Sequence, residues 1–452
     1  MAPLTKYLFF FAVFLFACSN SESVTPIDLG MSCLEANAKN EFQMDESLHL
    51  QEPKDCAVSN EQEYISLDDS EYPYSGLPRI VVETKNNATI KDMVNEVPAR
   101  LQVWGKDSPE SPIISLKIRG RGNSTWWHMP KKSYKIEFDE KKTFLGMPKN
   151  RDWALISNYA DKTLMKNFLM YRLSAQLGAY YAPRCEFAEL FVNGEYQGLY
   201  LLTETIKIGK NRVNIPKDSN SYIVEIDGRI RENEPYVYSD VIAANGQYFH
   251  IHDPKNPSKH QLKKMENNIH SFEKFLINIQ DKADNNVDQW IDVAEYVKHY
   301  WVQDFSKNPD ARFYTSVYFS WTNDVIKMGP VWDFDLSFGE NLSDDCNLSS
   351  KWYVRKFYWN RYLFMDSVLS SAVKNFWLEK RDDFNKVLDS IDSVAILLSP
   401  AAENNFKKWN ILNSTEQWYH PNAYDSYDDA VRHLKSWIQD RIAWIDKQYQ
   451  NF

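Results

Sequence analysis

The chain has 452 residues, of which 43% are hydrophobic and 15% aromatic, so it can bury a large core and form roughly two to four domains. Its formal net charge of -10 and its pI near 5.5 exclude a global field that attracts phosphate backbones, so we expect no nucleic acid partner. No His-Glu-x-x-His or Cys-x-x-Cys motif occurs, and the sequence therefore indicates neither a zinc protease nor a structural zinc site.

The N-terminus has the pattern of a signal peptide. Lys6 precedes an apolar run from Leu8 to Ala17, which is too short for a helix that crosses a bilayer about 30 Å thick. Leu15-Phe16-Ala17-Cys18 is similar to a bacterial lipobox, in which the cysteine becomes the lipidated first residue, although Phe16 is bulkier than the usual small residue. We expect a signal peptide at 1–17 and a membrane-anchored, extracytoplasmic bacterial lipoprotein, with plain secretion as the alternative.

Residues 18–76 are predicted to form a flexible tether. They are rich in Ser, Glu, Asp and Asn and show no period that specifies a helix or a strand. Cys33 and Cys56 lie in this segment and would close a loop as a disulfide; with Cys185 and Cys346 also present, the pairing stays open. The folded body is expected at 77–452.

The first half of that body is predicted to be antiparallel β-structure. RIVVET, ARLQVWG and ISLKIRG are short β-branched runs bounded by turn residues. In SYKIEFDEKKTF, the side chains of Tyr134, Ile136 and Phe138 fall on one face and polar side chains on the other, as a half-buried strand requires. CEFAELFVNGEYQGLYLLTET predicts a hairpin in which Asn193-Gly194 supplies the tight turn.

Helices are predicted between these strands and throughout the second half. ADKTLMKNFLMYRLSAQLG repeats apolar residues every four positions, with Asp161 as a candidate cap at its start and Gly178 at its end. QLKKMENNIHSFEKFLINIQ, DQWIDVAEYVKHYWVQDF and DDAVRHLKSWIQDRIAWIDKQY have the same helical spacing. The expected fold is α+β and two-lobed, with a β-rich N-terminal half, an α-rich C-terminal half and a ligand cleft between them.

Three acidic residues form the strongest chemical signal. GPVWDFDLSFGE places Asp333 and Asp335 two residues apart, and DFSKNPDARFYTSVYF places Asp310 before a strand. Two strands linked by TND would bring these acids together, where like charges within about 4–6 Å raise one another's pKa. Mg²⁺ would relieve this repulsion, because it prefers carboxylate oxygens and keeps sites for phosphates. Alternatively, one acid caps a turn and another pairs with an arginine.

A second signal is the glycine-rich segment IRGRGNST at 118–125. Glycines let a backbone approach a phosphate, and the side chains of Arg121, Lys132 and Lys135 would neutralise its charge. Alone, the segment fits a hairpin corner with surface arginines equally well.

The blocks RGRGNSTW, KKSYKIEF, RDWALISNYADKTLMKN, LFVNGEYQGLYLLTE and GPVWDFD occur in this order across most of residues 77–452. In this they resemble the CotH kinase family, the spore coat protein H-like kinases. The resemblance implies an atypical protein-kinase-like fold that binds ATP with Mg²⁺. It also implies phosphotransfer to Ser or Thr hydroxyls of a protein substrate, secreted or on the cell surface.

The resemblance also implies roles for individual residues. Many protein kinases have a metal-binding asparagine five residues after the catalytic aspartate, whereas this chain has Thr315, which puts a second Mg²⁺ in doubt. The implied roles are Asp310 as the catalytic aspartate that would orient or deprotonate a substrate hydroxyl, Asp333 and Asp335 as metal ligands, Lys132 or Lys135 on phosphate oxygens, Arg121 and Gly122 in a turn over the nucleotide, and Glu204 at a hinge beside the adenine.

Other functions remain open in the sequence. An extracytoplasmic protein meets little ATP, so the scaffold could instead serve a non-catalytic adhesin or a glycan- or protein-binding module. The aromatic segments WWH, SKWYVRKFYWNRYLF and EQWYHPNAY would then stack on sugar rings. A glycosidase pair is disfavoured, because acids two residues apart on one strand seldom flank a bond from opposite sides. The sequence does not indicate an oligomeric state.

Overall fold

A computed structural model describes residues 64–230, 234–279, 285–341 and 345–450. The strands in this part of the chain are β1 (Arg79–Thr84), β2 (Val97–Trp104), β3 (Ile114–Arg121), β4 (Ser133–Phe144), β5 (Met147–Ile156), β6 (Cys185–Val192), β7 (Glu195–Glu204), β8 (Ser221–Asp227), β9 (Tyr236–Ser239), β10 (Gln247–Asp253), β11 (Val317–Thr322) and β12 (Val325–Met328). The helices are α1 (Ser124–His128), α2 (Lys166–Gln176), α3 (Lys259–Ile277), α4 (Val293–Ser306), α5 (Tyr358–Leu363), α6 (Ser367–Lys408) and α7 (Tyr427–Gln450). The fold is mixed α+β, as predicted.

The first seven strands form a closed barrel in the order β1-β2-β3-β4-β5-β7-β6. Neighbouring strands are antiparallel except β1 and β6, which pair in parallel and close the ring. Its interior is apolar because alternate residues point inward: Ile136 and Phe138 of β4 are buried, whereas Lys135 and Glu137 are half-buried. The alternation predicted for this strand is confirmed.

The hairpin of β6 and β7 is also confirmed. Asn193 and Gly194 have φ angles of 51° and 79°, the left-handed conformation that a tight type I′ turn requires. This hairpin places Glu204 at the end of β7.

A second sheet has the strand order β12-β11-β8-β10-β9. The predicted hairpin of β11 and β12 turns at Asn323 and Asp324, with φ angles of 51° and 63°. The sequence analysis did not assign β8, β9 or β10. The strand β8 pairs antiparallel with β11, and its Glu225 lies opposite Tyr318. This pairing brings the polar end of β8 beside the segments that carry the three acids.

The helix α2 differs from prediction at its start and agrees with it at its end. It begins at Lys166, and Asp161 is not its cap. Instead, the Asp161 carboxylate accepts hydrogen bonds from the backbone N–H groups of Thr163 and Lys166, both at 2.8 Å, and so organises the turn before the helix. Gly178 follows the helix with a φ of 75°, as a C-terminal glycine does.

The C-terminal part of the chain is helical, as predicted. The helix α7 buries the expected stripe of Val431, Leu434, Ile438, Ile442 and Ile445. The 42-residue helix α6 was not predicted, and it contains Pro400, a residue that normally ends a helix. Among the helices that the structure describes, none has the length and apolar character needed to cross a membrane.

Residues Ile65–Phe452 form one compact unit, which begins before the predicted end of the tether at residue 76. The N–H of Ile65 donates to Gln102 Oε1 at 2.8 Å, and Ser75 Oγ donates to Glu189 Oε2 at 2.6 Å. The last residues assigned to the tether are therefore bonded to the barrel. The signal peptide and the pair Cys33 and Cys56 lie outside the described residues. Cys185 and Cys346 are buried and are not joined to each other by a disulfide, and Cys346 Sγ donates to the carbonyl of Asn341 at 3.1 Å.

Candidate active site

The three predicted acids come together. Asp310 begins a 3-10 helix (Asp310–Arg312) that closely follows α4, and Asp333 and Asp335 lie in the segment after β12. All three side chains are half-buried. They are close enough that the charges of Asp333 and Asp310 raise the pKa of Asp335. The hairpin of β11 and β12 produces this convergence, because it returns the chain to the point where β11 began.

Burial is the main cause of the raised pKa values, and mutual repulsion adds to it. Burial and the charge of Asp333 raise the pKa of Asp310 to about 8, against the opposing effect of Arg229 and Arg312. Burial likewise raises the pKa of Asp333, although the Ser316 hydroxyl, 3.2 Å from its Oδ2, opposes the shift. These carboxyl groups therefore resist ionisation unless positive charge is brought to them.

Two buried asparagines hold the backbone around the acids. Asn308 Nδ2 donates to the carbonyl of Asp333 at 3.0 Å, and Asn308 Oδ1 accepts from the N–H of Asp310 at 3.1 Å. The N–H of Phe334, between the two later acids, donates to Asn167 Oδ1 at 2.8 Å. These bonds fix Asp333 at a φ of 65°, a conformation that non-glycine residues rarely adopt. The sequence analysis missed both asparagines. The position of Asn308, two residues before Asp310, could have indicated its role. No neighbouring residue indicates the role of Asn167.

Two cationic side chains lie beside the acids. The Arg121 guanidinium lies over the Trp332 ring, 4.6 Å from its centroid. Burial raises the pKa of Asp333, and the positive charge of Arg121 opposes that rise. Lys166 is buried, and its Nζ is 3.3 Å from the carbonyl oxygen of Asp335 and 3.8 Å from Asp161 Oδ1. Arg121 was among the predicted residues, whereas Lys166 was not.

The glycine-rich turn has a steric reason for its glycines. A Cβ at Gly120 would come within 2.4 Å of the Trp126 ring, and Gly122 has a φ of 99°. Glycine therefore lets the chain turn sharply from β3 into α1 and carries Arg121 to the acids.

Among the contacts that the structure shows, neither Lys132 nor Lys135 touches any of the three acids. Lys132 Nζ donates to the carbonyl of Trp126 at 2.6 Å and lies over the ring of the same residue. The Lys132 ammonium group therefore already has a backbone partner, and its role on phosphate oxygens stays a prediction. Lys135 Nζ is 3.0 Å from Asp152 Oδ1 and 3.1 Å from Glu137 Oε2, on the half-buried face of β4.

Glu204 is not available as a nucleotide ligand through its side chain. Its carboxylate is fully buried and forms ion pairs with Arg184, at 2.8 Å, and with Arg212. It also accepts a hydrogen bond of 3.0 Å from the Tyr181 hydroxyl. These contacts show that the Glu204 carboxylate ties the segment before β6 to the loop after β7, and the hinge beside the adenine stays a prediction.

The arrangement of the acids suits a magnesium ion that binds together with phosphates, rather than a metal site formed by protein side chains alone. Within the described residues, no three His, Cys, Asp or Glu side chains are arranged to hold a metal ion by themselves. Mg²⁺ commonly uses only one or two carboxylates and completes its shell with waters and substrate phosphates. Asp333 and Asp335 offer such oxygens, and their raised pKa values mean that the ionised carboxylates are disfavoured until a cation stabilises them.

A family model described as CotH kinase protein matches residues 118–445, which include all three acids and the glycine-rich turn. The match covers more than two thirds of the sequence. The chain belongs to the CotH kinase family. A curated relative, the inner spore coat protein H of Bacillus subtilis (strain 168), is 26% identical over 228 residues, or 47% of this chain and 56% of that protein. The alignment thus spans little more than half of this CotH relative.

Proposed function

We propose that this CotH family member is a Mg-ATP-dependent phosphotransferase, an atypical protein kinase with a two-lobed kinase-like arrangement, that acts on Ser or Thr hydroxyls of a protein. The observation that carries the proposal is the convergence of Asp310, Asp333 and Asp335: burial raises the pKa of all three carboxyl groups, and the charge of Asp333 raises those of Asp310 and Asp335 further. An acidic cluster with only a structural role would be more stable if neutral residues replaced these aspartates. A site for a cation and a nucleotide needs their carboxylates.

Asp333 and Asp335 would hold Mg²⁺, which neutralises phosphate charge when bound. Asp310 would orient the acceptor hydroxyl and take its proton. Because its pKa is about 8 without a ligand, Asp310 is largely protonated near pH 7. Positive charge bound beside Asp333 removes the repulsion and favours the ionised form of Asp310. This carboxylate would thus become a base only when the nucleotide site is filled.

Arg121 is the best placed residue to bind phosphate. It lies against Trp332, next to Asp333, and a guanidinium can donate two parallel hydrogen bonds to phosphate oxygens. The turn with Gly122 would cover the nucleotide. Lys135 would contribute long-range charge from the face of β4, where Asp152 now pairs with it.

The site of action follows from the N-terminal sequence. We propose that the mature chain is anchored to a bacterial membrane through lipidated Cys18 and acts outside the cytoplasm on a secreted or surface protein. Because ATP is scarce there, either nucleotide reaches the enzyme from elsewhere or phosphorylation precedes export.

Thermal unfolding of the chain without residues 1–17 tests the proposal. Mg-ATP at millimolar concentration should raise the melting temperature, whereas ATP with a chelator should not. Asp333→Ala should abolish the shift. Asp310→Ala should keep it and lose phosphate transfer to a Ser/Thr protein. No stabilisation of the wild type by Mg-ATP would contradict the proposal.

A non-catalytic surface-binding module is the second candidate, and one observation favours it. Trp127 and Trp418 are 65% and 54% exposed, and their segments are joined by a hydrogen bond from Tyr419 Oη to the carbonyl of His128. Exposed tryptophans can stack on sugar rings. A Trp127→Ala/Trp418→Ala variant should then lose binding to a glycan array. Unchanged array binding, or no binding by the wild type, would remove this candidate.

A further inference from the structure

Arg229 joins three separate segments beside the acids. Its Nε and Nη2 donate to the two carboxylate oxygens of Asp227, at the end of β8, at 2.8 and 2.9 Å. Its Nη2 also donates to the Thr315 hydroxyl at 2.7 Å. With its amide oxygen turned to the guanidinium, Asn123 accepts from Nη2 at 3.1 Å and from Nη1 as well. One side chain therefore links the sheet, the loop before β11 and the glycine-rich turn.

Thr315 has a defined role in this network. Its hydroxyl accepts from Arg229 and donates to Asp227 Oδ2 at 3.1 Å. Position 315 lies five residues after Asp310, where many kinases have a metal-binding asparagine. Here the side chain at that position is committed to protein contacts. The loop between Asp310 and β11 is further tied to β8 by the backbone bond from Gly228 N–H to the carbonyl of Tyr314, at 2.8 Å.

Asn123 is the link to the nucleotide side of the site. It is the residue before α1 and ends the turn that carries Arg121 and Gly122. Its side chain does not cap that helix. An amide held by a guanidinium that is itself paired to a carboxylate is a charge-assisted contact, which is stronger than a neutral one. The contact therefore restrains a turn whose glycines otherwise give it conformational freedom.

We propose that Arg229 is a positioning residue that fastens the glycine-rich turn, residues 120–123, to the loop that carries Asp310. This inference rests on the proposed function, in which the turn covers the nucleotide and Asp310 faces the acceptor hydroxyl. Arg229 would hold these two sides of the site in one mutual placement, as in-line phosphate transfer requires. Asp227 and Thr315 would in turn fix the guanidinium.

Hydrogen exchange of the chain without its signal peptide tests the contact independently of activity. Arg229→Ala should speed exchange of the Trp126 and Trp127 amides, which donate to the Asn123 carbonyl, about tenfold, the effect expected for losing a charge-assisted bond. Asn123→Ala should do the same, whereas Asn123→Asp should exchange like the wild type because its carboxylate still accepts from Arg229. Arg432→Ala is the control, since Arg432 is an exposed arginine on α7 paired with Asp429. Unchanged protection of α7 would show that each variant is folded.

Kinetics then separate positioning from simple stabilisation. Arg229→Ala should lower kcat about 10- to 100-fold with a smaller change in the KM for ATP, and Arg229→Lys should recover only part of kcat. Thr315→Val should lower kcat in the same direction as Arg229→Ala but by less. Thr315→Ser, which keeps the hydroxyl, should not lower it. The inference would be overturned if the amides of Arg229→Ala exchanged as slowly as those of the wild type. It would also be overturned if they exchanged faster while kcat stayed unchanged. If the wild type transfers no phosphate, the proposed function fails, and the exchange data alone decide whether Arg229 fastens the turn.

Discussion

Two acidic sites in this protein have opposite electrostatic arrangements. Glu204 is fully buried between Arg184 and Arg212 and accepts a further bond from Tyr181, so its charge is balanced by its immediate neighbours. Asp333 and Asp335 lie beside another acid, Asp310, and burial and like charge raise their pKa values. A carboxylate matched by fixed cations is tolerated in the interior of a fold, whereas crowded carboxyl groups resist ionisation until a cation balances their charge.

The largest effect should come from Asp310, on the crowded side of the comparison. Asp310→Asn removes the proposed base while keeping its size, so we expect phosphate transfer to fall roughly 10²- to 10⁴-fold with little change in Mg-ATP affinity. Steady-state kinetics and calorimetric titration measure the two effects. Asp139→Asn, an exposed position on β4, is the matched control. A loss of nucleotide affinity equal to the loss of rate would show that Asp310 is a ligand and not the base.

The next effect should come from Glu204, on the balanced side. Glu204→Gln leaves Arg212 buried without its anionic partner and should lower the free energy of unfolding by about 3–5 kcal/mol. Urea unfolding measures the loss. Glu83→Gln, which breaks a solvent-exposed pair with Arg100, should cost about 1 kcal/mol or less. If Glu204→Gln weakened Mg-ATP binding while unfolding at the same urea concentration as the wild type, Glu204 would belong to the nucleotide site.

The pH dependence of stability should differ between wild type and Asp310→Asn. The pKa of Asp310 rises from 3.8 to about 8 on folding, so its contribution is full below pH 3.8 and is lost as the pH rises through 8. Relative to Asp310→Asn, the ligand-free wild type should therefore lose roughly 1–3 kcal/mol of stability between pH 4 and pH 8. Thermal or urea unfolding across this range measures it. A constant difference between the two proteins would mean that Asp310 ionises freely.

The two lysines should give the smallest effect. Lys135→Met should raise the KM for ATP by roughly threefold, because it removes a half-buried positive charge that lies opposite Arg119, the residue before the turn of 120–123. Lys132→Met should leave the KM unchanged, since its ammonium group is bonded to the Trp126 carbonyl. Steady-state kinetics at constant ionic strength makes the comparison. A larger increase in KM for Lys132→Met than for Lys135→Met would indicate that Lys132 binds phosphate.

Features set by local pattern were predictable from the sequence. The alternation in β4, the turns at Asn193-Gly194 and between β11 and β12, and the stripe on α7 all follow from neighbouring residues. The convergence of the acids was predictable for the same reason, because a single hairpin returns the chain to its starting point.

Features set by distant segments were not predictable. Asn167 and Phe334 are 167 residues apart in the chain, and nothing near Asn167 indicates that its amide accepts from the N–H between two acids. The partners of Lys132 and Glu204 lie closer, 6 and 8 residues away, but no motif indicates that Trp126 offers its carbonyl or that Arg212 offers its guanidinium. Arg229 reaches the site because β8 pairs with β11, and the segment that contains β8 carried no motif.

A crystal structure with Mg²⁺ and a non-hydrolysable ATP analogue tests the central claim most directly. We expect one Mg²⁺ about 2.0–2.1 Å from oxygens of Asp333 and Asp335 and in contact with the phosphates, with Arg121 on a phosphate oxygen. A nucleotide bound elsewhere, or acids left without a cation at saturating Mg-ATP, would contradict it.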